Sequence, residues 1–174
     1  MHLDTPHPRQ LSSEQLAGAL SGSTRMAVGR LRIALAAFDD GERLRAALNA
    51  LSKANVADTQ KGVAARRPQI ESLLRAAIPL GRLTTVPFTA NGDETLASDG
   101  PFWSALNFFA KAAGQPLIVA PWMAPRLRDE LCRHISDGAT LLGARATTTE
   151  QQKQCTQILL NCSSHRVHTH EFTL

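Results

Sequence analysis

The chain has 174 residues, 43% of them hydrophobic and 20% charged, with a formal net charge of +4. That length suits one ordinary domain or two very small ones, and the composition is neither disordered nor fibrous. No apolar run is long enough to span a membrane, no signal-type apolar core opens the chain, and three cysteines make no disulfide framework; the expectation is a reduced, cytoplasmic setting without a membrane partner.

Residues 1–10 hold two prolines and no periodicity, which predicts a flexible lead. Ser12, with Gln15 three positions on, has the pattern of a capping box before a short helix carrying Leu16 and Leu20. A second helix is expected from Ser23 or Thr24 to Phe38, with Ala27, Leu31, Leu35 and Phe38 on one face. Asp39-Asp40-Gly41 stops it and caps a third, on which Leu44, Ala47, Leu48 and Leu51 align. Residues 55–66 read as a connector. Pro68 then opens a fourth helix with Ile70, Leu73, Leu74 and Ile78 inward, closed by Pro79 and Gly81.

Beyond Arg82 the character changes. Residues 83–89 are short and β-branched, a strand candidate, and residues 90–100 a polar loop. A helix follows from Pro101, with Phe102, Ala105, Leu106 and Phe109 at helical spacing, up to Gly114. The apolar run 116–120 reads as a buried strand, Pro125 starts a helix carrying Leu127, Leu131 and Ile135, and 139–146 reads as another strand. Thr147 and Glu150 form a capping-box pattern for a helix to about Leu160, and residues 166–172 alternate like a closing strand. Alternating strands and helices predict an α/β fold: an N-terminal helical subdomain over 11–82, then a small, mainly parallel sheet with flanking helices over 83–174, both sharing one core.

The charge is unevenly spread. Residues 1–82 hold 12 basic and 7 acidic side chains, residues 83–174 hold 7 and 8. A cationic half favours anionic partners, because neutralising phosphates releases counterions. The segment 12–38 has the outline of a helix-turn-helix, whose second helix would set Ser23, Thr24 and Arg25 at a DNA groove. Arg30 and Arg32 would reach phosphates, and Arg66 and Arg67 would add affinity, the planar guanidinium matching phosphate oxygens and guanine edges. The resulting expectation is a non-enzymatic binding or regulatory protein with nucleic acid as its partner and no cofactor.

Two alternatives stand beside it. One is a small α/β enzyme, a hydrolase or metal-assisted nuclease, using the strand ends. There Trp122, Arg145, Thr147 and Thr148 would hold an anionic ligand. His168 and His170 share a face of any strand through them, which suits a divalent metal. The other is an adaptor that offers amphipathic helices to a protein partner. No P-loop, GxGxxG or GxSxG pattern occurs, and the cysteines lack CxxC spacing.

Overall fold

A computed structural model describes residues 30–86, 95–98, 102–103 and 122–173. The first described element is a strand, β1 (Arg30–Phe38), in the stretch where helical spacing is expected. Its residues from Ile33 to Phe38 are all buried. A strand covered on both faces needs no alternation, so its sequence is a continuous apolar run that also satisfies a helical stripe. Residues 30–38 of the proposed helix-turn-helix are therefore strand, and the rest of it falls outside the described residues.

After β1, Asp40 caps α1 (Gly41–Lys53) by accepting from the Glu42 amide at 2.7 Å. Leu44, Ala47, Leu48 and Leu51 are its buried stripe, as the spacing predicts. Asn55, at φ 60°, ends the helix as the left-handed residue of a closing turn, and the Val56 amide donates to the Leu51 carbonyl. A 3-10 turn (Asp58–Gln60) leads into β2 (Lys61–Arg66), which occupies the expected connector. Here too the strand is buried on both faces, and small residues (Gly62, Ala64, Ala65) hide it from a propensity reading.

An insertion follows. It holds α2 (Arg67–Arg75) with Pro68 in its first turn, β3 (Leu83–Val86), β4 (Thr95–Ser98), a helical Phe102-Trp103 and α3 (Pro125–Ser136). The chain then completes β5 (Thr140–Ala146), α4 (Thr149–Cys162) and β6 (His168–Thr173). β4 lies where a polar loop is expected. The proposed strand at 116–120 falls outside the described residues, as do the lead at 1–10 and the helix at 12–20.

The strands form one six-stranded sheet in the order β3-β4-β2-β5-β1-β6, and every pairing is antiparallel. This overturns the expectation of a mainly parallel sheet. The alternation rule assumes that strands joined by a helix become neighbours. Here β1 and β2 do run parallel, but β5 lies between them, and β1 in turn lies between β5 and β6. The result is two interleaved split β-α-β units, β1-α1-β2 and β5-α4-β6. Nor do residues 30–82 form a separate helical subdomain, because β1 and β2 are among the inner strands of the sheet.

The two units also match in detail. As Asp40 caps α1, Thr148 caps α4 by accepting from the Gln151 amide at 3.1 Å. That cap lies one residue beyond the expected Thr147, whose own amide donates to the Gln151 side chain. Asp40→Ala and Thr148→Ala should each lower stability by about 1 kcal/mol, as read by urea denaturation.

Each face of the sheet carries a core. On one, α1, α2 and α4 cover Ala34, Ala36, Phe38, Val63, Ala65, Leu142 and Ala144. On the other, α3 and Phe102-Trp103 cover Leu31, Ile33, Leu35, Ala37, Ala64 and Leu141. The second core depends on a pair of facing glycines, Gly62 and Gly143. A Cβ at Gly143 would stand 2.1 Å from the Phe102 ring, and one at Gly62 2.3 Å from it. Bare backbone there admits the two aromatic rings edge to face, with centroids 4.7 Å apart. The Trp103 indole also donates to the Val63 carbonyl at 3.3 Å. Among the described residues, no helix is long and apolar enough to cross a membrane.

Candidate functional site

Strand geometry gathers several of the sequence candidates at one end of the sheet, where β1 begins and β5 ends. Arg30 and Arg32 are two residues apart on β1 and so project from the same face. Both approach Oε1 of Glu171 on the neighbouring β6, at 3.3 and 3.1 Å. Arg30 is 66% exposed and Arg32 12%. The exposed Arg30 pair contributes little, whereas the Arg32 guanidinium is largely shielded from water. Two guanidinium groups also share this single carboxylate, so the pairing leaves positive charge over. The Nε of Arg32 is buried and has no hydrogen-bond partner.

On the opposite face the register places Arg145, Ile33 and His170 in one row across β5, β1 and β6. Trp122 meets His170 edge-on, with ring centroids 5.1 Å apart. Thr147 and Thr148 lie just past the end of β5, at the start of α4. Gln152 in the first turn of α4 donates to the Ile33 and His170 carbonyls at 3.4 and 3.2 Å, tying that turn to β1 and β6. Residues assigned from sequence to three separate sites (Arg30 and Arg32; Trp122, Arg145, Thr147 and Thr148; His170) thus lie at one end of one sheet, on its two faces.

Other candidates lie elsewhere. Arg66 ends β2, which runs parallel to β1, so it sits at the far end of the sheet. Its Nη1 donates to the Ser136 carbonyl at 3.0 Å, at the C-terminus of α3, with Arg67 beside it in the first turn of α2. Ser23, Thr24 and Arg25 fall outside the described residues. Part of the basic excess of the N-terminal half is also used internally. Arg45 donates to the Ala76 carbonyl, while buried Lys61 donates to Ser52 at 2.7 Å and pairs with Asp58 at 2.8 Å.

His168 and His170 do share a face, since their β1 partners Leu35 and Ile33 belong to the same core. Among the described residues, however, no group of three His, Cys, Asp or Glu side chains is placed to hold a metal ion. What His168 joins instead is a polar seam that sequence reasoning missed. Glu130 on α3 stands 3.7 Å from His134 one turn on and 3.8 Å from His168 on β6. The His134 ring packs against His165, centroids 4.2 Å apart, and His165 contacts both carboxylate oxygens of Asp39 at 2.8 and 2.9 Å. Only the Glu130–His134 spacing is visible along the chain; the other contacts need the fold.

Burial pushes the proton affinities of His134, His168 and His170 below the ordinary imidazole value. The neighbouring His165 lowers His134 further, and His168 does the same to His170. Glu130 pulls the other way on His134 and His168 without overcoming the cost of burial. These imidazoles are therefore kept neutral at neutral pH.

The chain matches no protein-family model, no curated protein and no solved structure. The arrangement of its own residues carries the functional reading.

Proposed function

We propose that the chain is a non-enzymatic binding and regulatory protein that takes nucleic acid at the Arg30–Arg32–Arg145 end of its sheet. The observation that carries this reading is the placing of three arginines at one end of the sheet, Arg30 and Arg32 sharing the single carboxylate of Glu171 on one face and Arg145 in the row beside Ile33 on the other. Cations spread along a sheet end, rather than sunk in a cleft, suit the repeating charge of a phosphate backbone. The start of α4 beside them adds the partial positive charge of a helix N-terminus. The reading no longer draws on a helix-turn-helix, since residues 30–38 are strand. A reducing, cytoplasmic location is part of the proposal, in keeping with three free cysteines.

The test is binding of labelled duplex and single-stranded oligonucleotides across a salt series. Wild-type affinity should fall steeply with salt. The Arg30→Ala, Arg145→Ala double variant should weaken binding and flatten the log–log salt slope by about 2, one unit for each lost phosphate contact. Glu171→Gln should strengthen binding, because it frees two guanidinium groups from their competitor. Absence of salt-sensitive binding by the wild type, or an unchanged slope in the double variant, would overturn the reading.

A further inference from the structure

We propose that the histidine seam between α3 and β6 is a proton-operated latch, closed when its imidazoles are neutral and loosened when they are protonated. The seam joins four separate parts of the chain. Asp39 follows β1, Glu130 and His134 belong to α3, His165 lies in the α4–β6 connection, and His168 and His170 are on β6. The contacts run without a break from Asp39 to His165, His134, Glu130 and His168. Through Glu130 and His168, 3.8 Å apart, the seam links the inserted helix to β6, an edge strand of the sheet.

The charge arithmetic of the seam changes with pH. His134 faces Glu130 and Arg133 on its own helix, His165 from the connection and Asp39 from the end of β1. His168 faces Glu130 on α3, Arg166 just before β6, and His170 two residues on. His170 in turn shares its row with Arg145 and abuts Trp122. At neutral pH Glu130 meets the neutral rings of His134 and His168. On protonation of His134, His168 and His170, three imidazolium groups gather where the carboxylates of the seam, among the described residues, are Asp39 and Glu130, with Arg133 and Arg166 alongside. The His134 cation would then stand against the His165 ring, 4.2 Å away between centroids, a neighbour that disfavours its charge inside a half-buried layer.

The sign of the effect is fixed by linkage. An imidazole whose proton affinity is depressed in the closed form binds protons more readily once the seam opens. Closure is therefore strongest above the ordinary histidine range and weakens as pH falls through that range toward the closed-form value. Leu131 and Ile135 still anchor α3 in the core. Acid consequently raises the population of an open minor state rather than detaching the helix outright.

Amide hydrogen exchange of the full chain at pH 7.5 and 5.0, corrected for intrinsic rates, reads this population. Opening of residues 125–136 and 168–173 should increase several-fold at pH 5.0, as the histidines take up protons more readily in the open form. Protection of α1 over 41–53 should change far less. The His134→Asn, His168→Asn variant, which cannot titrate there, should lose most of the response. Glu130→Gln, a milder change, should enlarge it, because the carboxylate that favours protonation in the closed form is gone. Equal loss of protection in α1 and α3, no change in α3, or a wild-type response in either variant would overturn the latch.

Discussion

Gly143→Ala should be among the most damaging small substitutions in the chain, lowering stability by about 1–3 kcal/mol through overpacking. The added methyl would stand 2.1 and 2.4 Å from two carbons of Phe102 and 3.0 Å from Leu35. Neither side chain has free space to retreat into, since both are buried in the core beneath α3. For a domain of this size the loss converts to about 2–4 °C of melting temperature per kcal/mol, measurable by thermal denaturation. Ala144→Gly, one position along on the other face, removes a methyl without creating a clash. It should cost less, which makes it the natural control.

Phe102→Ala should cost more still, about 3–5 kcal/mol, because it empties the space that the facing glycines create. The lost ring is fully buried and packs edge to face against Trp103. The two changes should not add. In the Gly143→Ala, Phe102→Ala double variant the new methyl no longer meets a ring, so its own penalty should largely vanish. An additive double variant in urea denaturation would show that the ring and the glycine do not act on one another as the geometry requires.

How far the fold could be read in advance follows from what each segment buries. α1, α3 and α4 are legible because each buries one stripe and turns the other faces to water. β5 is legible because Leu141 and Leu142 are bounded by the Asp137-Gly138 turn and the Thr147-Thr148 cap. β1 and β2 are not. A strand covered on both faces lacks alternation, and runs of alanine satisfy either periodicity. Strand direction was illegible for a different reason, since the insertion of β5 between β1 and β2 is a long-range event with no local signal.

The candidate site divides along the same line. Arg30, Arg32, Arg145, His168 and His170 stand out by residue type, but which of them meet depends on register. Glu171, the carboxylate facing Arg30 and Arg32, is one strand away in space and 139 residues from Arg32 in sequence. The seam is still more distributed, with Asp39 after β1, Glu130 and His134 on α3, and His165 in the α4–β6 connection. No spacing rule could have assembled it.

The interleaving of the two units also has a consequence for the nascent chain. β1 emerges from the ribosome long before both of its neighbours, β5 and β6, are translated. Throughout that interval a strand of almost wholly apolar residues has both edges unpaired. Its shielding must come from transient cover, by other parts of the growing polypeptide or by chaperones, until residues 140–146 arrive to close the gap.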